Sequence, residues 1–205
     1  MKNLKENLNN VRSRVVLACR KAGRDPSEVI ILAVSKKHAA EKISTLFNLG
    51  QTRFGENYVQ EALEKMKQLA NPSIEWHFIG PMQSNKTRDV ATHFNWVQSV
   101  DREKILLRLS RQRPPGIPPL NICIQVNIDR EPQKAGVLPE QVAGLALNCA
   151  ELPGVRLRGL MSIPMAGSAT HDPADSYLRM RELFVDLRGR GIAMDTLSMG
   201  MSAYL

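Results

Sequence analysis

Short, almost wholly apolar runs recur along this chain, and the residues between one run and the next are enough for a single helix each time. Residues 29–35, Val29-Ile30-Ile31-Leu32-Ala33-Val34-Ser35, are the clearest example. A β-branched run with no polar alternation suits a parallel strand covered on both faces, because a half-exposed strand would alternate. Further strands are expected at 53–55, 75–79, 96–99, 121–126, 156–161 and 194–198, and helices at 39–49, 58–69, 102–112, 139–150 and 174–188. A leading amphipathic helix is expected over residues 4–22, with Leu4, Leu8, Val11, Val15 and Leu17 as its apolar positions and Gly23 as its stop. Strands that alternate with helices are joined by crossovers, which makes the sheet parallel: a doubly wound sheet or a (β/α) barrel. No GxGxxG or Walker pattern follows any strand, and that favours the barrel.

One domain spanning residues 1–205 is the expectation, since the proline-rich loop at 113–119 is too short to be a linker. No apolar run approaches the roughly 18 residues that a membrane span needs, and the polar N-terminal stretch is unlike a secretory leader. The expected compartment is therefore the cytoplasm, with no membrane partner. Cys19, Cys123 and Cys149 are odd in number, far apart and without CxxC or histidine at ligand spacing, so buried, inert thiols are expected rather than disulfides or zinc. The net charge of +8 permits a polyanionic partner. However, the basic residues are scattered and aromatics make up only 5%, which disfavours nucleic acid as a partner, because stacking recognition needs clustered aromatic side chains.

Barrel chemistry collects where strands end. Those ends carry Ser35-Lys36, Gly55-Glu56-Asn57, residues 79–86, Asn127, Met161-Ser162 and Ser198-Met199-Gly200-Met201-Ser202. An ammonium at the end of a buried apolar strand is partly desolvated, which favours the neutral amine that attacks an aldehyde, and Lys36 stands at such a place. A strand-end lysine is more often solvated or ion-paired, and Lys37 rivals it. Small residues after a late strand, as at Ser198 to Ser202, suit a backbone turn that binds phosphate or an ordinary strand-to-helix turn.

Five segments taken together, Ala33-Val34-Ser35-Lys36, residues 54–60 (FGENYVQ), residues 76–86 (WHFIGPMQSNK), Arg158-Gly159-Leu160-Met161 and residues 197–202 (LSMGMS), resemble the pyridoxal phosphate homeostasis proteins of the YggS type, over essentially the whole chain and in order. The resemblance implies a (β/α)8 TIM-type barrel related to the alanine racemase N-terminal domain, with pyridoxal 5'-phosphate as cofactor. It implies a Schiff base on Lys36, Asn57 beside the ring, and Ser198 and Gly200 at the phosphate. His77 and Met161 match positions lining the pocket, with a hydrogen-bonded core histidine and a packing methionine as the plain alternative. Glu56, Asn85 and Lys86 are left to loop geometry or a polar rim.

The implied role is that of a carrier or buffer in vitamin B6 homeostasis. Such a protein delivers cofactor to pyridoxal-phosphate-dependent apoenzymes and has no turnover of its own. An amino-acid racemase-like enzyme is the alternative. In the family the chain continues beyond the phosphate turn into a last helix, an eighth strand and a closing helix, with an arginine toward the pyridine nitrogen and a glycine-threonine pair at the phosphate. This sequence ends at Leu205, so the expectation is a barrel without the eighth strand and last helix, weaker cofactor retention and more self-association.

Overall fold

The computed structural model describes residues 4–165 and 172–200, and the chain divides after Trp76 into two compact units. In the first, α1 (Leu4–Lys21) is followed by β1 (Ala33–Val34), α2 (Ala40–Asn48), β2 (Arg53–Glu56) and α3 (Val59–Leu69). The short strand β3 (Glu75–Phe78) crosses the division. Parallel pairing sets Ala33 opposite Phe54 and Val34 opposite Gly55, and the Glu75 N–H donates to the Thr52 carbonyl at 2.8 Å. Ile43, Phe54, Ala62 and Ile74 are among the buried apolar side chains around these strands, with the Phe54 and Trp76 rings 6.2 Å apart.

The second unit repeats the alternation with α4 (Thr87–His93), β4 (Trp96–Val100), α5 (Glu103–Gln112), β5 (Leu120–Gln125), α6 (Val142–Ala150), β6 (Val155–Ser162), α7 (Pro173–Gly189) and β7 (Thr196–Met199). Each strand pairs in parallel with the next in chain order, His77 opposite Trp96, Asn121 opposite Arg156, Gly159 opposite Thr196. Central β5 buries Leu120, Ile122, Cys123 and Ile124 on both faces, as a parallel strand between two neighbours must. Each helix turns an apolar stripe inward, Ile105, Leu106 and Leu109 on α5 for instance. At the start of α7, the Asp172 carboxylate accepts from the Ala174 N–H at 2.9 Å and Pro173 fills the first turn.

The structure revises two expectations about the first unit. The run at 29–35 is not a doubly covered strand: only Ala33 and Val34 pair with β2, while Ile30 and Val34 are exposed. Among the described residues β1 has a strand on one side only. On α1, Leu17 faces solvent and Cys19 is buried in its place, because the stripe 4, 8, 11, 15, 19 keeps to one face whereas position 17 lies about 200° round from 15.

Candidate functional site

Where the chain leaves β1, Ser35 is buried and its N–H donates to the Gly55 carbonyl at 2.9 Å. The backbone then turns back on itself, the His38 N–H donating to the Ser35 carbonyl at 3.1 Å. Lys36 and Lys37 are the two central residues of this turn, and Lys37 adopts φ 61°, the left-handed conformation that glycine takes more readily. Lys36 is exposed, not desolvated as its sequence position suggested, and among the described residues its ammonium has no ion-pair partner.

Under this turn lies an ion cluster. Lys65, reaching up from α3, is buried, and all three donors of its ammonium are used: to the Ser35 carbonyl at 2.8 Å, Glu56 Oε1 at 2.7 Å and Glu61 Oε1 at 2.6 Å. The Ser35 hydroxyl also donates to Glu56 Oε1, at 2.7 Å, and the Lys37 N–H donates to Glu61 Oε1 at 2.5 Å. Partial burial pushes the Glu61 carboxyl up, but the Lys65 and Lys37 donors outweigh it and hold the group below its ordinary value of 4.5. Glu56 is fully buried, so it belongs to this cluster and not to a polar rim, and its second oxygen has no hydrogen-bond partner among the described residues. Beside it, Asn57 is half-buried, and its Oδ1 is likewise buried and without a partner among the described residues.

In the second unit, residues expected at the site form a different network. Gln98 on β4 bridges His77 on β3 and Ser198 on β7: its Nε2 lies 2.9 Å from His77 Nδ1, and its Oε1 accepts from the Ser198 hydroxyl at 2.6 Å. In this amide orientation Nδ1 accepts, so the neutral ring carries its proton on Nε2. The His77 ring stacks on Trp96 with centroids 5.1 Å apart and planes 12° from parallel, and Met161 packs into the cluster of Trp96 and Cys123. Gly200 has φ 129°, is exposed, and has no atom of the described residues within 4 Å of where a Cβ would stand. Met201 and Ser202 lie outside the described residues. Asn85 and Lys86 fall in the short turn before α4, whose Thr87 hydroxyl donates to the Ser84 carbonyl at 2.9 Å, and Asn127 closes its own loop by exchanging hydrogen bonds with Glu131.

The sequence pointed to Lys36, Asn57, His77, Met161, Ser198 and Gly200 and gave no role to Lys65, Glu61 or Gln98, which hold Ser35, Lys37, His77 and Ser198 in the structure. The four-residue spacing of Glu61 and Lys65 on a helix was the one available signal for the first two. No cluster able to hold a metal and no helix long and apolar enough to cross a membrane occurs among the described residues.

Comparison with known proteins places these features. The model of the alanine racemase N-terminal domain matches residues 2–205. A pyridoxal phosphate homeostasis protein of Pseudomonas aeruginosa is 50% identical over 202 residues, covering 98% of this chain and 86% of that one. The protein of the same name from Escherichia coli K12 is 44% identical over 205 residues, covering 98% and 88%. Among solved structures, PipY of Synechococcus elongatus PCC7942 with pyridoxal phosphate bound superposes with a TM-score of 0.84 at 32% identity, covering 98% and 90%. An alanine racemase of Clostridium difficile 630 superposes with a TM-score of 0.78 over 99% of this chain and 51% of its own. At 14% identity that likeness shows the fold alone: the parallel β/α barrel architecture of the racemase N-terminal domain.

Proposed function

Since the chain belongs to the alanine racemase N-terminal domain family, and within it to the pyridoxal phosphate homeostasis proteins, we propose that it binds pyridoxal 5'-phosphate covalently through Lys36 and serves vitamin B6 homeostasis as a carrier. The observation that carries this reading is the Lys36 amine, exposed, without an ion-pair partner among the described residues, and presented by a turn at a strand end. Lys36 would hold the cofactor, which when bound would supply an aldehyde able to condense with a neutral primary amine.

Each unit, taken by itself, offers groups suited to part of such a ligand. Asn57 Oδ1 is a buried acceptor lacking a donor, which suits a hydroxyl-bearing ring. The positive φ and open space at Gly200 let a backbone N–H approach a phosphate closely. The Ser198 hydroxyl is engaged with Gln98, so it donates to a phosphate only when the Gln98 amide turns over, presenting Nε2 to Ser198 and Oε1 to a protonated His77 Nδ1. His77 thus acts by orienting Gln98, and Met161 by shaping the apolar wall.

Transport without turnover is the proposed mode, in the cytoplasm, with pyridoxal-phosphate-dependent apoenzymes as recipients. Racemisation needs acid and base groups on both faces of an α-carbon, and the relatives 44–50% identical to this chain carry a name that speaks of homeostasis. Three buried free thiols suit a reducing compartment. Titration with pyridoxal phosphate should give a saturable yellow species that Lys36→Ala abolishes. In deuterated water the loaded protein should leave the α-proton of added amino acids in place. Enzyme-dependent exchange lost in Lys36→Ala would establish an enzyme instead.

A further inference from the structure

We infer that Lys65, with Glu61 and Glu56, is a positioning clamp for Lys36, locking the turn from Ser35 to His38 so that the amine is delivered at a fixed place. The inference rests on the proposed role of Lys36 as the cofactor-bearing residue. Its basis is which atoms the clamp holds. The carbonyl of Ser35 and the N–H of Lys37 belong to the two peptide groups that flank Lys36, and each ends on the cluster, the first on Lys65 Nζ and the second on Glu61 Oε1. Lys36 has flexible backbone on neither side, although its own side chain is exposed.

Stability alone does not account for this arrangement. Replacing a buried lysine–carboxylate pair by well-packed apolar side chains of similar volume is often neutral or stabilising, because desolvation offsets the attraction. What an apolar pair could not do is accept the Lys37 N–H and donate to the Ser35 carbonyl. The cluster also holds strain: a lysine at φ 61° is unfavourable, and it persists only where surrounding contacts over-determine it. Glu61 supplies that contact through the Lys37 N–H itself. The fully buried Glu56 Oε2, without a hydrogen-bond partner among the described residues, marks the cluster as acceptor-rich: two glutamate side chains converge on the one buried Lys65 Nζ beneath the turn.

The test compares wild type with Glu61→Gln, Lys65→Met and the double variant Glu61→Gln/Lys37→Gly. Three quantities are read: hydrogen exchange of the Lys37 amide without cofactor, pyridoxal phosphate affinity, and the rate and position of adduct trapping by borohydride. In wild type the Lys37 amide should exchange slowly and the adduct should map to Lys36. Glu61→Gln should speed that exchange and slow trapping at Lys36 by about tenfold or more, since small misplacements of a reacting group cost on that scale. Lys37→Gly in the Glu61→Gln background should recover most of the trapping rate, because glycine adopts the left-handed conformation unaided. Glu61 is partly exposed and its variant keeps the side-chain shape, so it carries the test if Lys65→Met does not fold. Adduct on Lys36 with wild-type rates in Glu61→Gln and Lys65→Met would overturn the clamp and leave the cofactor reading standing. Adduct on another lysine in wild type would overturn both.

Discussion

Gly159 gives the sharpest test of how β6 and β7 hold the segment that carries Ser198. A Cβ at this position would lie 1.7 Å from the Thr196 carbonyl oxygen and 2.6 Å from its carbon, whereas ordinary contact begins near 3.4 Å. Gly159→Ala must therefore drive the strands apart by ~1.7 Å, well beyond what a hydrogen bond tolerates. The groups at risk are the Asp195 N–H to Arg158 carbonyl bond at 2.8 Å, the Gly159–Thr196 and Leu160–Leu197 pairs, and the Arg158 guanidinium on Asp195 at 2.8 Å. At about 1 kcal/mol per lost backbone bond, with about 1–3 kcal/mol for overpacking, the expected destabilisation is about 2–4 kcal/mol. In urea this lowers the midpoint by about 1–2 M, read by the fluorescence of the buried Trp76 and Trp96. The cofactor affinity should fall with it, since β7 carries Ser198 at 2.6 Å from Gln98. Gly144→Ala is the control of opposite sign: it sits inside α6 with nothing within 4 Å of its Cβ position, so it should stabilise by about 0.5–1 kcal/mol. A Gly159→Ala protein as stable as its parent would refute the close β6–β7 packing.

Other consequences follow from the charged and sulfur groups. Lys65→Met should cost about 3–5 kcal/mol in denaturant unfolding by stranding the Glu56 carboxylate, and Lys65→Met/Glu56→Gln should recover a large part of it. The carboxyls of Glu61, Asp129 and Asp195 all lie below their ordinary values; at Asp129 burial pushes the carboxyl up, but donors from Ser176, the Met165 N–H and Arg179 outweigh it. Groups depressed in the folded state stabilise fully above their unfolded values of 4.5 and 3.8 and cease to do so as pH falls through their lower folded values. Unfolding midpoints should therefore be level above about pH 5 and drop steadily below pH 4, and Glu61→Gln should flatten part of that drop. Burial pushes the Cys123 and Cys149 thiols up to about 12, so the folded protein should resist thiol reagents at neutral pH and react only after unfolding.

Much of the fold was legible because hydrophobic runs and helical stripes are local. The expected strand at 121–126 and the observed Leu120–Gln125 differ by one residue at each end, and the expected helix at 102–112 became Glu103–Gln112. The shortening of β1 was not legible, because an apolar run reads the same whether or not strands cover both its sides. Leu17 was misassigned by spacing read too loosely, with Cys19 the better fit to the stripe. Lys36 and the turn at Ser198 to Ser202 stood out by their places after strands, and the resemblance gave Lys36, Asn57, Ser198 and Gly200 their expected roles. Gln98 and Ser198 are a hundred residues apart and meet only through the strand order, so no local pattern announces their bond. Lys65 reads as an ordinary surface lysine of a helix, and burial alone reveals it as the centre of three hydrogen bonds.

The central claim is that Lys36 is the residue that takes the cofactor, and its most direct measurement is covalent trapping. Loading the protein with pyridoxal phosphate, reducing with borohydride and mapping the adduct by peptide mass should place one phosphopyridoxyl group per chain on the peptide carrying Lys36, with Lys37 unmodified. Lys36→Ala should leave no stoichiometric adduct at any position. A stoichiometric adduct on Lys37, Lys86 or Lys134, or full labelling that survives Lys36→Ala, would contradict the assignment.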